Sequence, residues 1–80
     1  MTPLQRCVAQ VWSEVLGVGL PTLGDNFTEL GGHSLHAVRT VFRLRQQLGV
    51  SLSLTAFFEA VTLEDLCVEL ERAVPRVKAA

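Results

Sequence analysis

The sequence predicts an all-α fold, a small four-helix bundle of three long helices and one short one, with a long loop between the first two helices. Three observations predict it. Apolar residues recur every three or four positions in three separate stretches, glycines stand just past two of them, and the one alternating stretch has no second strand to pair with. The connections are also too long for simple hairpins, as expected of helices packed around one core.

Thr2 is placed to cap the first helix, Pro3 suits its first position, and Gln5 completes a Thr-x-x-Gln capping box. Leu4, Cys7, Val8, Val11, Trp12, Val15 and Leu16 then form a continuous stripe that ends at Gly17. The segment from Val18 to His33 is long for a helix connection and holds Gly19, Pro21 and Gly24. Such a loop is functional or tied down by its own side chains, with Leu20, Leu23, Phe27 and Leu30 as the expected anchors. The second helix runs to Leu48, buries Ala37, Val41, Leu44 and Leu48, and stops at Gly49. Val50, Leu52 and Leu54 alternate like an extended connection with one buried face. Thr55 is the expected cap of a short helix through Ala60 that buries one of Phe57 and Phe58. Thr62 and Asp65 form a second capping box, opening a last helix through Leu63, Leu66, Cys67 and Leu70, with Val74 next in register.

With 80 residues the chain is one small domain, of the size at which a core gives only a few kcal/mol of net stability. The core must therefore be dense, and 49% hydrophobic residues, with one Trp and four Phe, can supply it. Residues 1–74 are expected to form the domain, monomeric, and 75–80 a polar tail or linker stub. A formal charge of −1 offers no strong attraction for nucleic acid or an anionic membrane. No apolar run approaches the ~20 residues that span a bilayer, and the first residues lack a signal-peptide layout. The expected compartment is the cytoplasm. Cys7 and Cys67 lie within apolar helix patterns and read as small buried hydrophobes rather than as a disulfide.

The stretch from Asp25 to Leu35 brings the chain to a helix start through two consecutive glycines, Gly31 and Gly32, followed by His33 and Ser34. Paired glycines are placed where the backbone needs positive φ or a close approach. Ser34 then stands where the first helical N–H groups lack acceptors and the helix dipole is positive, an arrangement suited to a phosphate ester on its hydroxyl. Serine is also among the best helix caps, and local physics alone favours that reading over a reactive site.

Asp25-Asn26-Phe27 followed by Glu29-Leu30-Gly31-Gly32-His33-Ser34-Leu35 resembles the core motif of the peptidyl carrier (thiolation) domains of nonribosomal peptide synthetases. The resemblance continues through Arg43-Leu44-Arg45, Leu48-Gly49-Val50, Leu52-Ser53-Leu54, Phe57-Phe58-Glu59 and Thr62-Leu63-Glu64-Asp65-Leu66, nearly the whole chain. It departs at Thr28, where a second aromatic is common, at Thr40, where an aliphatic is common, and at Ala60-Val61, which often holds proline. The resemblance implies that Ser34 takes 4′-phosphopantetheine from coenzyme A, and that the arm's thiol holds aminoacyl or peptidyl cargo as a thioester. It implies three kinds of partner: a phosphopantetheinyl transferase, an adenylation enzyme or domain, and a condensation or thioesterase domain. Gly31, Gly32 and His33 would then position the loop. The three arginines of the second helix, Arg39, Arg43 and Arg45, with no carboxylate among them, fit the peptidyl branch rather than the acidic fatty-acid-type carriers, and suit rim contacts.

Leu35, Val38 and Phe42 form a second apolar stripe on that helix. It either packs under the long loop or, with Arg39 beside it, forms a docking surface for partner enzymes. The reading from another class is an unmodified helical interaction module in which Ser34 is only a cap. Other chemistry is rejected. Gly32-His33-Ser34 begins a hydrolase elbow, but position 36 is His rather than Gly and no α/β sheet precedes it. His33 and His36 lack the third group that would orient a base, and two ligands do not make a zinc site. A DNA-recognition helix would need a short preceding turn, not this long connection.

Overall fold

In the computed structural model, which describes residues 1–73, the order is α1 (Pro3–Leu16), α2 (Ser34–Leu48), α3 (Leu54–Glu59) and α4 (Leu63–Ala73). The four-helix expectation holds. Among the described residues no helix is long and apolar enough to cross a membrane. Val74 and the expected tail at 75–80 lie outside the described residues.

Helix α1 begins as its sequence specifies. Thr2 Oγ1 accepts from Gln5 N–H at 3.1 Å, Gln5 Oε1 accepts from Thr2 N–H at 2.8 Å, and Pro3 occupies the first turn, where no N–H is needed. Gly17 ends the helix at φ +69°, in the left-handed region that favours glycine. Val8, Ala9, Val11 and Trp12 are buried, while Leu4, Val15 and Leu16 pack partly buried around them. Cys7 is only half-buried, with its thiol 3.4 Å from Gln47 Oε1, so it sits at the edge of the core rather than inside it.

Helix α2 buries Ala37, Thr40, Val41 and Leu44, and Gly49 stops it at φ +65°. The departure at Thr40 is accommodated without an orphaned polar group: its fully buried hydroxyl donates to the His36 carbonyl at 2.8 Å. Arg43 pairs with Glu14 of α1, so this arginine ties two helices of its own chain. That guanidinium, with Gln10 adding a weaker contribution, holds the Glu14 carboxyl below its ordinary range.

The short helix corrects one boundary. Ser53, not Thr55, is its cap, accepting from Ala56 N–H at 3.0 Å. Helix α3 thus starts at Leu54, which is 39% exposed and leaves Val50 and Leu52 alone as the buried face of the connection. Phe57 is the aromatic that enters the core, and Phe58 stays at the surface. Helix α4 opens on the expected Thr62/Asp65 box, with reciprocal contacts of 3.2 and 3.3 Å, and buries Leu63, Leu66, Cys67 and Leu70. Each fully buried leucine contributes about 1.5–3 kcal/mol relative to exposure. Both cysteines are free.

The long loop is fastened at both faces. Phe27 inserts edge-on between Trp12 and Phe57, with ring centroids 5.1 and 4.9 Å away, a geometry that favours aromatic pairs beyond their area. Leu23 and Leu30 pack partly buried against the core as expected. Leu20 does not: it is 69% exposed, and the adjacent Pro21 is buried in its place. On its other side the loop bonds to the start of α4, Leu63 N–H to Asp25 C=O and Glu64 N–H to Leu23 C=O, both at 3.0 Å, with an isolated bridge between Asn26 and Thr62.

Candidate functional site

The approach to α2 is built from Asn26 onward. Its Oδ1 accepts from the Thr28 N–H at 2.9 Å, an Asx turn that reverses the chain after Phe27. Leu30, Gly31 and Gly32 N–H groups then return to the carbonyls of Asn26, Thr28 and Phe27 at 3.1, 3.0 and 3.0 Å. Gly31 takes φ +96°, and Gly32 is buried against the Phe27 ring with no room for a side chain. The two glycines therefore serve two needs, a left-handed backbone and a close approach.

Ser34 is the first residue of α2 and is exposed. It is not the cap. His33, with φ −116° and ψ 179°, is the N-cap residue, and its carbonyl accepts the first helical bond from Ala37 N–H at 2.9 Å. His36 Nδ1 accepts from the His33 N–H at 3.1 Å. Among the described residues nothing bonds to the Ser34 hydroxyl. No acidic side chain occupies the first turn of α2, so negative charge arriving there would meet the positive end of the dipole unopposed. A phosphate ester on Ser34 fits this position.

The second stripe is exposed rather than packed under the loop. Leu35 is 63%, Val38 49% and Phe42 59% exposed, beginning one residue past Ser34 and running down one side of α2. Arg39 lies beside them, exposed and without an ion-pair partner among the described residues. Val38 and Phe42 with Leu52, Leu54 and Arg45 line a shallow groove of about 230 Å³ between α2 and α3. The groups brought together at this end of the bundle are thus Gly31, Gly32, His33, Ser34 and the head of the apolar stripe. Among the described residues no cluster of three or more His, Cys, Asp or Glu side chains could hold a metal ion.

Sequence reasoning did not assign the work done here by Asn26 or His36. An Asx residue two places before Thr28 was the available signal for the first. The second was hidden because histidine is not a usual capping-box partner.

Residues 7–70 match the family model described as the phosphopantetheine attachment site. The chain belongs to that family. As a member of the phosphopantetheine attachment family it has the carrier-protein fold and carries 4′-phosphopantetheine. It is 49% identical over 69 residues to a linear gramicidin synthase polypeptide of Brevibacillus parabrevis, covering 86% of this chain and 1% of that protein. The chain thus spans a very small part of the synthase polypeptide it matches. Two solved structures share the fold. The peptidyl carrier protein in a complex with the phosphopantetheine transferase Sfp and coenzyme A has a TM-score of 0.85 and 28% identity, covering 90% of this chain and 94% of that one. The A-PCP structure of McyG with phenylalanyl-adenylate has a TM-score of 0.83 and 40% identity, covering 88% of this chain and 11% of that one.

Proposed function

We propose that Ser34 is the attachment residue and that the domain shuttles aminoacyl or peptidyl thioesters between the catalytic domains of a nonribosomal peptide synthetase. One observation supports this above the others: a serine hydroxyl, exposed and unbonded, stands at the first position of α2 directly after a glycine corner that is itself bonded to the core. A phosphoester there disrupts no internal hydrogen bond and gains the helix dipole. When attached, the group supplies a thiol on a flexible tether, which raises the effective concentration of cargo at each partner.

The domain itself acts as tether and recognition surface rather than as a catalyst. Its partners in this reading are a phosphopantetheinyl transferase, an adenylation enzyme or domain, and a condensation or thioesterase domain. Leu35, Val38 and Phe42, flanked by Arg39, are the surface they share, because these side chains are exposed along α2, the helix that Ser34 opens. The domain works as a monomer in this reading. The cytoplasm is the proposed compartment, consistent with two free cysteines.

Intact-protein mass after incubation with coenzyme A and a broad-specificity phosphopantetheinyl transferase tests the reading. The wild-type chain should gain one phosphopantetheinyl group and Ser34→Ala none. A wild-type chain that stays at its apo mass would leave the unmodified interaction module as the better account.

A further inference from the structure

We propose that His36 is a positioning residue for the modification of Ser34, acting through its hydrogen bond to the His33 backbone. The inference rests on Ser34 being the attachment residue. Three helices of this fold hold the N–H of their N-cap residue with a side chain three positions on. In α1 the acceptor is Gln5 Oε1 at 2.8 Å, in α4 it is Asp65 Oδ2 at 3.3 Å, and in α2 it is His36 Nδ1 at 3.1 Å. The imidazole stands where a capping box ordinarily carries a carboxylate or amide.

The bond matters more in α2 than in the other two helices. Thr2 and Thr62 each accept in return through a hydroxyl, at 3.1 and 3.2 Å, whereas histidine brings no hydroxyl to the N-cap of α2. The chain also enters α2 through Gly31 and Gly32, and glycine is the residue with the most backbone freedom to lose. His36 joins that entry to the core: its carbonyl accepts from the buried Thr40 hydroxyl at 2.8 Å, and its ring accepts from the residue just before Ser34. Acceptance at Nδ1 requires that nitrogen to be unprotonated, which assigns the neutral ring's proton to Nε2.

Removing the acceptor leaves the reacting hydroxyl untouched but lowers the fraction of molecules in which the corner is set. A partner that binds only the set corner then sees a weaker apparent affinity in proportion to that fraction. His36→Leu should therefore raise KM for the carrier in the transferase reaction by roughly three- to tenfold and leave kcat unchanged. His33 amide exchange should accelerate in the same variant. His36→Gln should restore both values, because Gln5 already shows that an amide accepts well at this position.

Steady-state transfer from coenzyme A, followed by intact mass, and amide exchange at His33 are the measurements. Equal KM for wild type and His36→Leu overturns the inference, as does His36→Gln behaving like Leu. A raised KM with unchanged His33 protection also overturns it, since the imidazole would then touch the transferase directly. Failure of the wild-type chain to gain any phosphopantetheinyl mass is a different result: it removes the attachment reading and this inference with it.

Discussion

Gly32 lies so close to Phe27 that a Cβ on it would stand 2.3 Å from two carbons of the ring and 2.8 Å from the Phe27 carbonyl oxygen. The ring cannot simply withdraw, because it is wedged edge-on between Trp12 and Phe57. Gly32→Ala should therefore cost about 1–3 kcal/mol, as overpacking of a filled core does. Gly31→Ala meets no atom but must adopt φ +96°, so it too should destabilise, through the backbone alone. Thermal unfolding of both variants, each with and without Phe27→Leu, checks the distinction: the smaller residue should relieve the ring's share of the Gly32 cost, leaving that of the Phe27 carbonyl, and none of the Gly31 cost.

Ser34→Ala should leave stability within about 0.5 kcal/mol of wild type while abolishing phosphopantetheinylation. The cap reading of this serine would instead give a loss of about 1 kcal/mol. The observed cap is His33, one residue earlier, and the Ser34 hydroxyl bonds nothing among the described residues. A clear drop in melting temperature for a folded Ser34→Ala protein would contradict this placement.

The two faces of α2 should separate in the same assay. Leu44 is fully buried, and Leu44→Ala should cost about 2–5 kcal/mol through lost burial and a residual cavity. Leu35→Ala should melt near wild type and lose partner-dependent loading instead. A Leu35→Ala chain that loads normally when folded would move the docking face elsewhere.

Much of this was legible because it is local. The boxes at Thr2/Gln5 and Thr62/Asp65, and the stops at Gly17 and Gly49, each depend on residues within one turn, and the structure realises all four. The misplacements needed knowledge of neighbours. Ser53 and Thr55 both offer a hydroxyl at the start of the same short helix, and only the bond from Ala56 N–H to Ser53 decides between them. Leu20 is as apolar as Leu23, yet whether a loop side chain finds space in the core is settled by what lies opposite. At the site, the glycines and Ser34 stood out by type. His36 did not, since its role comes from a ring nitrogen meeting one backbone N–H.

Cys67 gives a prediction in the alkaline range. Burial first, then the charges of Glu71, Cys7 and Glu64, push its thiol from 9.0 up to about 11. The thiolate is the reactive form, so at pH 8 iodoacetamide should leave Cys67 unlabelled in the native chain and label it after denaturation. A raised folded value means that the stabilisation is fully present below the unfolded value and is lost as pH rises through the folded one. Unfolding should thus become easier between pH 9 and 11, and a Cys67→Ala comparison should show a flatter alkaline limb. Native-state labelling of Cys67 at the rate of the denatured chain would refute the assignment.

The backbone bonds from Leu63 and Glu64 back to Asp25 and Leu23 join an early segment of the chain to a late one. A ribosome delivers Ser34 well before it delivers α4, yet the loop that leads to Ser34 is bonded to the first residues of that last helix. A nascent chain halted before Thr62 holds the serine and its glycines without the partner that secures their approach. The last helix of the bundle is thus what completes the fastening of the loop that leads to the first turn of α2.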